Sequence, residues 1–326
     1  MTRCLGCGIK LQNESKDKLG YTLSLENNIC ERCFKLKNYG KYTNVSLNNT
    51  DYLNVLNSIK KDDLVVYTTD ILSLSINLIE TFERVLLVIT KRDILPKSIK
   101  DEKIVKYIKK KYPNVIGVIV VSSNKNYNLD YLYDKMKKYS NKKGVYLVGN
   151  TNSGKSTLIN KLIDNYSINS NNKVTTSMYP ATTLDKLEIN LGDLILIDTP
   201  GLIEKGNIVN YLDATDMKSI TPKKEIKPKS CQISGIGSLV IDKYIRIDYH
   251  TKKKNSLVIY ASNTLNIRFS SLKKEISKDF KKIKFDLKDR QDIVIPGLGF
   301  IKFVDPFEVS IYCNSKVKPY SRDNLI

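Results

Sequence analysis

Residues 145–165 read VYLVGNTNSGKSTLINKLIDN. Val145 to Val148 is a short apolar run of the kind that forms a buried strand. It leads into G-x4-G-K-S over Gly149 to Ser156, and then into a helical pattern. Strand, glycine-containing loop and helix, in that order, form the context that a phosphate-binding loop requires. The glycines let backbone N–H groups turn inward around phosphates, at a helix N-terminus whose dipole favours anions. The candidate contacts are Gly149, Asn150, Asn152, Ser153, Gly154, Lys155, Ser156 and Thr157. Lys155 is expected to reach the β/γ-phosphates and Ser156 to ligate Mg2+. The expected fold class is therefore α/β, with a doubly wound parallel sheet and the ligand at the carboxyl ends of its strands.

Downstream, the apolar run Leu194 to Ile197 ends in Asp198-Thr-Pro-Gly201. An acid at the tip of a neighbouring parallel strand can hold Mg2+ through water, and the Gly201 N–H can contact a γ-phosphate. Between the two motifs lies PATT, residues 180–183, whose Thr183 is placed to offer Mg2+ a second hydroxyl. A base-reading acid is found before the phosphate loop rather than after it. The strand-like run Val85 to Ile89 is followed by Thr90-Lys-Arg-Asp93. Asp93 suits the N1 and N2 protons of guanine, a bidentate pairing that adenine does not offer, and the Lys91 stem suits the face of the base. The next strand signal, Val115 to Val121, ends in Ser122-Ser-Asn124, where backbone N–H groups around Ser122 and Ser123 suit guanine O6. Helical patterns follow each, over Glu102 to Lys111 and Leu129 to Lys138. The order is base motif, base motif, phosphate loop, switch I, switch II. That is a circular permutation of the usual GTPase order, allowed because the termini of such domains lie close together. An ATPase or kinase with the same loop is the rival, and Asp93 argues against it.

At the front, Cys4-Leu-Gly-Cys7 and Cys30-Glu-Arg-Cys33 form C-x2-C-x22-C-x2-C. Each pair can occupy adjacent corners of a tetrahedron, and two pairs complete a closed Cys4 zinc site. So small a module needs the metal for most of its folding free energy. Cys231 and Cys313 lie in strand-like stretches and are expected to be buried free thiols.

The 326 residues are 41% hydrophobic and 27% charged, enough for two or three packed domains. Lys and Arg exceed Asp and Glu by 54 to 34, with 22 against 11 in residues 219–326. A positive field at one end suits a polyanion, RNA rather than DNA. Codon bias towards Lys, Asn, Ile and Tyr is the plainer explanation of part of it. The only histidine, His250, gives no basis for histidine-centred catalysis. No apolar run approaches the ~20 residues of a membrane span. The N-terminal MTRCLGCG has no apolar signal core, so the expected location is cytoplasmic. The expected domains are 1–40 (zinc module), 41–218 (GTPase) and 219–326 (basic, β-rich). Within the last, SLVIDKYIRIDY, SLVIYASNTLNIRFS, QDIVIPGLGFIKFV and FEVSIYC alternate as strands do, with Gly235, Gly237, Gly297 and Gly299 at turns or bulges. Ser271 to Lys284 instead spaces Leu272, Ile276, Phe280 and Ile283 as a helix would. Its lysines form either a solvated face or a phosphate-tracking one.

Taken together, CLGC…CERCFKLKNYG, TKRD, VSS, GNTNSGKST, PATTLD, DTPG, TPKKEIKP (221–228) and IPGLGFI (295–301) resemble the circularly permuted GTPases, and among them the YqeH-type ribosome-biogenesis GTPases. The resemblance covers nearly the whole chain. It implies GTP hydrolysis coupled to assembly of the small ribosomal subunit, with GTP/GDP, Mg2+ and Zn2+ as ligands. The implied partners are that subunit or its rRNA and protein precursors. Thr90 stands where the family usually has Asn, Ala181 where it has Gly, and Ser123 and Asn124 where it has alanines. Leu202 stands where a water-orienting Gln is usual in GTPases. Resembling GTPases with an apolar residue there position water by other means, and some use K+, held partly by an Asn at the position of Asn152. The alternative is that Asn152 only braces the loop. Lys155, Asn152, Thr183 and Gly201 are the catalytic candidates. An RNA-binding scaffold switched by GTP with negligible hydrolysis is the second reading.

Overall fold

The computed structural model describes all residues except 1–2, 5–9, 17, 19, 32, 36–45, 48–55, 77–78, 168–186, 200, 271–277 and 306. Cys7, the PATT segment with Thr183, Pro200 and the first half of the 271–284 stretch therefore lie outside the described residues. The chain divides into two compact units. One comprises Met1–Asp70, Ser75–Arg92 and Ile108–Ile203, the other Ile71–Leu74, Asp93–Tyr107 and Glu204–Ile326.

In the first unit the strands are β1 (Ser46–Leu47), β2 (Leu64–Asp70), β3 (Val85–Thr90), β4 (Gly117–Val120), β5 (Val145–Gly149), β6 (Leu187–Leu191), β7 (Leu194–Asp198) and β8 (Gly201–Leu202). Six of them form one sheet in the order β4-β3-β2-β5-β7-β6. All neighbours are parallel except the hairpin β6–β7. β3 is a near-continuous apolar run and β2 is buried from Leu64 to Thr69, because both faces of a parallel sheet are covered. Of the helices, α1 (Asp101–Lys111) has its residues Asp101–Tyr107 in the second unit, while α2 (Leu129–Tyr139) and α3 (Lys155–Tyr166) belong to the first. α2 buries Leu129, Leu132 and Met136, and α3 buries Leu158, Ile159, Leu162 and Ile163, stripes at helical spacing that join the core of β-strand residues. The chain leaves the edge strand β4, returns through α2 to β5 in the middle, and then builds outward the other way. The order therefore reverses between β2 and β5, and a crevice opens there at the carboxyl ends of the strands.

Among its described residues the second unit also holds the short helix α4 (Ala214–Ile220) and eight strands. These are β9 (Lys229–Ile241), β10 (Ile245–Ala261), β11 (Ile267–Ser270), β12 (Phe280–Leu287), β13 (Gln291–Ile295), β14 (Gly299–Phe303), β15 (Phe307–Asn314) and β16 (Tyr320–Asp323). All eight belong to one antiparallel sheet. β10 is its spine. It pairs with β9 along nearly its whole length, with β15 through Ile245 to Tyr249 and with β14 through Leu257 to Ala261. Cys313 is buried and Cys231 half-buried, both free thiols, and burial pushes the Cys313 thiol up to about 11.

One expectation is corrected here. Phe280 to Lys284 are strand rather than helix, paired antiparallel with β15. Ile283, Phe285 and Leu287 alternate at period two and meet the sheet core, and this pattern prevails over the helical spacing of Phe280 and Ile283.

Asp292 is wholly buried at the heart of this unit. Its Oδ2 accepts from the Leu325 N–H (3.1 Å) and faces Arg322 Nε at 3.5 Å, while Oδ1 has no hydrogen-bond partner among the described residues. Arg322 lies over the Phe300 ring and donates to the carbonyls of Ser73 (3.0 Å) and Leu72 (3.3 Å). Burial pushes the Asp292 carboxyl up to about 6, against the pull of Arg322. The folded chain thus holds this proton more tightly than the unfolded one. The stabilisation is complete below the unfolded value of about 4 and is lost as pH rises through 6. Relative to Asp292→Asn, the unaltered chain should lose on the order of 2 kcal/mol between pH 4 and 7. Denaturant titrations of both proteins across that range check this, and parallel pH profiles would contradict it.

Candidate functional site

The phosphate loop lies where β5 ends between β2 and β7. Its first glycine is required by space: a Cβ on Gly149 would stand 2.1 Å from Thr68 Oγ1 and 2.6 Å from the Thr68 carbonyl on β2. The loop passes through Asn152 at φ 62° and Gly154 at φ 87°, and α3 starts at Lys155. The buried Ser153 shares a hydrogen bond with Thr68 (3.0 Å), and Thr68 also reaches the Val148 carbonyl (3.1 Å). Buried Asn150 donates to Ser75 Oγ at 3.3 Å, and Thr69 Oγ1 donates to the Ser75 carbonyl at 3.1 Å. The carboxyl end of β2 thus props the loop from one side.

Lys155 is 2% exposed. Its ammonium meets Asp198 Oδ1 at 2.5 Å and the Thr199 carbonyl. Leu147 stands opposite Asp198 where β5 pairs with β7, which places the acid beside the loop. Ser156 and Thr157 occupy the first turn of α3. Beyond Asp198, Gly201 and Leu202 form β8. The Leu202 carbonyl accepts from the Thr151 N–H at 2.8 Å, and Leu202 bridges to Asn150 in parallel. On its other side β8 pairs with β1, Ser46 opposite Gly201 and Leu47 opposite Leu202.

The first base motif also bears on the loop. Thr90 is 2% exposed, and its hydroxyl lies within hydrogen-bond reach of the Ser153 carbonyl and of the Thr69 carbonyl (3.2 Å). Lys91, at φ 61°, donates through Nζ to the Asn152 carbonyl at 2.7 Å. Asp93 follows two residues later in a short 3-10 turn and begins the second unit. The Arg92 N–H donates to the Val121 carbonyl at 3.0 Å, joining the ends of β3 and β4. Ser122 and Ser123 are buried there, and Ser122 Oγ accepts from the Lys125 N–H at 3.2 Å. Bracing of the loop by Thr90 and Lys91 is a contact that sequence reasoning missed, since it assigned both to the base.

These residues fit a nucleotide triphosphate with Mg2+. The loop is closed tightly against β2, the buried Lys155 ammonium at its end meets Asp198, and that acid stands at the neighbouring strand tip. Separately, the Sγ atoms of Cys4, Cys30 and Cys33 all lie within 4.8 Å of one another, and all three residues are buried. The Cys30 N–H donates to Cys4 Sγ at 3.2 Å. Three thiols that close suit a metal ion.

YqeH of Bacillus subtilis is 35% identical over 362 aligned residues, spanning 99% of both chains. The chain belongs to the YqeH family of circularly permuted GTPases. As a YqeH-family member it is a GTP hydrolase, with GTP/GDP and Mg2+ as its ligands. The profile of the family described as 50S ribosome-binding GTPase matches residues 144–265. Two proteins of Arabidopsis thaliana are more distant. The chloroplastic GTP-binding protein Brassinazole Insensitive Pale Green 2 is 28% identical over 56% of this chain and 29% of its own. NO-associated protein 1 is 25% identical over 71% of this chain and 49% of its own. The crystal structure of YjeQ from Thermotoga maritima aligns with 43% of this chain and 48% of its own at 20% identity and a TM-score of 0.30, too slight to bear on the argument.

The Thr90 contact gives a testable outcome. Thr90→Val deprives the Ser153 carbonyl of a donor, which costs ~1–3 kcal/mol for a buried group. GDP and GTP affinity should fall together by about tenfold or more, while preference over ATP persists. Thr90→Ser should retain both. Fluorescent-nucleotide titrations read this, and unchanged affinity in the valine variant would remove Thr90 from the brace.

Proposed function

We propose that this YqeH-family GTPase couples GTP hydrolysis to assembly of the small ribosomal subunit in the cytoplasm. Its basic C-terminal third, 219–326, contacts the subunit's RNA, the zinc module occupies 1–40 and the GTPase domain 41–218. A ribosomal partner is supported by the description of the matching family, which names the 50S subunit. The small subunit is supported by the resemblance of the motifs. The observation that carries the coupling is the pairing of Leu202 with Asn150 and Thr151. A segment tied to the phosphate loop by main-chain bonds is the segment from which the chain leaves for the basic unit. Order in it depends on the γ-phosphate. Co-sedimentation with purified small and large subunits tests this. Binding to the small subunit should be tighter with a non-hydrolysable GTP analogue than with GDP, and should weaken steeply as salt rises. Binding to the large subunit alone would overturn the assignment.

Within the site, Lys155 neutralises the β/γ-phosphates. Ser156 and Thr183 offer Mg2+ their hydroxyls, Asp198 holds it through water, and the Gly201 N–H contacts the γ-phosphate. A charge-neutralising group in place matters most as charge builds in the transition state. Asp93 reads guanine N1 and N2, with Lys91 along the base and the backbone at Ser122 and Ser123 at O6. Asp93→Asn presents an amide to N1–H, so GTP affinity should fall at least tenfold, on the order of 1–3 kcal/mol. Xanthosine triphosphate, whose edge is complementary, should recover it. Undiminished GTP binding in this variant would contradict the base assignment.

Two ions complete the proposal. Zn2+ is held by Cys4, Cys30 and Cys33, with Cys7 as the fourth ligand. K+ is held beside the phosphates partly by Asn152, whose side chain is exposed at the loop. Metal analysis should find about one zinc per chain, lost in Cys33→Ala with unfolding of the module. Hydrolysis should run faster in KCl than in NaCl, and Asn152→Ala should erase the difference. Zinc-free native protein, or equal rates in both salts, would remove the respective ion.

A further inference from the structure

The spine strand β10 is interrupted once. Thr251 pairs with Gly235 and Asn255 with Ile233, so three residues of β10 (Lys252, Lys253 and Lys254) oppose Ser234 alone on β9. The two extra residues form a bulge, and bulges re-aim the side chains they carry. Local chemistry pins it at both ends. Thr251 Oγ1 donates to the Lys253 carbonyl at 2.6 Å, and Asn255 Oδ1 accepts from the Ser256 N–H at 2.7 Å. Thr251 and Asn255 are both buried. Across the ribbon Gly235 takes φ 67°, a conformation that favours glycine. The three lysines are all exposed, and none of their ammonium groups has a partner among the described residues. Among the described residues no third strand pairs with this part of β10. β15 stops at Tyr249 and β14 begins at Leu257, leaving 250–256 paired with β9 alone. Beside the bulge, Ile236 is 62% exposed, opposite the exposed His250.

We infer that the Lys252–Lys254 bulge is an RNA-binding knob that grips consecutive phosphates of the RNA backbone. This rests on the reading that the basic unit contacts RNA and names the surface that does so. The occupant follows from charge. Three adjacent unpaired ammonium groups match the repeated phosphates of a polynucleotide, and they sit in a segment with 22 basic and 11 acidic residues. A backbone held by its own side-chain bonds presents the lysines pre-organised, so less conformational entropy is lost on binding. Contacts of this kind position the protein on RNA without reading sequence. The exposed Ile236 adds an apolar surface for a ribose or base next to the phosphates.

The test uses the full-length protein with GDP and Mg2+, and a protein-free transcript of the small-subunit rRNA as probe. Filter binding is measured across a salt series. Replacing Lys252, Lys253 and Lys254 together by alanine should lower affinity at least tenfold. It should also make the slope of log affinity against log salt shallower by about 2–3, since each phosphate contact contributes about 0.7–0.9. A control with the exposed Lys103, Lys106 and Lys110 of α1 replaced by alanine removes the same charge and should leave the slope in place. GDP affinity should be unchanged in both variants, which shows that they fold. If the unaltered protein binds the transcript and the bulge variant matches it or its control, the knob is refuted while the domain reading stands. If the unaltered protein does not bind the transcript, the domain reading fails and the knob with it. If the bulge variant loses binding to intact subunits but not to the transcript, the lysines meet a ribosomal protein, and the RNA assignment is overturned.

Discussion

The nucleotide site depends on a close approach between two backbones. β2 lies against β5 so tightly at Thr68 that only a residue without a side chain fits at Gly149. From that contact the loop takes its path. Thr68 holds Ser153, Thr69 and Ser75 hold one another, and Ser75 holds Asn150. Thr90 at the end of β3 reaches the Ser153 carbonyl from the next strand out. The phosphate loop is thus braced by groups that come 63 to 85 residues earlier in the chain. Permutation changes the order in which these parts are made but leaves the sheet neighbours in place, because the pairing is fixed by strand order and not by connection.

Two buried ion pairs show different uses of charge. Lys155 and Asp198 are each 1% exposed in their side chains and meet at the mouth of the phosphate loop. Lys155 also reaches the Thr199 carbonyl, so the pair ties the start of α3 to the end of β7. Arg322 and Asp292 are as deeply buried, but their bonds run to the chain itself: to the Leu72 and Ser73 carbonyls and the Leu325 N–H. Such a pair stabilises modestly at best, and breaking it by removing one partner costs ~3–5 kcal/mol. Its effect is to hold the segment Ile71–Leu74 within the second unit.

β8 joins two regions that are remote in sequence. Its two residues pair with the phosphate loop on one side and with Ser46 and Leu47 on the other. Ser46 follows the cysteine cluster by little more than a dozen positions. Main-chain bonds therefore connect the stretch after the metal module to the segment that follows Asp198. Leu202 contributes through its carbonyl and not through its side chain, which is why an apolar residue is compatible with this place in the sheet.

The sequence by itself determined the α/β class, the permuted order and the GTPase identity, because each rests on local patterns. A strand–loop–helix run, an acid at a strand tip and paired C-x2-C turns are legible in a few consecutive residues. The alternation of the C-terminal strands was legible for the same reason. Tertiary structure decided what depends on neighbours far apart in the chain. Thr90 and Lys91 carry a base-motif signature, yet their hydrogen bonds run to the phosphate loop, since β3 ends beside it. Phe280 to Lys284 carry helical spacing, yet form a strand, because β15 offers a full ladder of backbone partners and Ile283 and Phe285 a core to meet. The lysine bulge has no pattern of its own: a run of lysines between strand residues reads as a loop. Only the register of β9 against β10, set by side chains on either side of it, makes those lysines project.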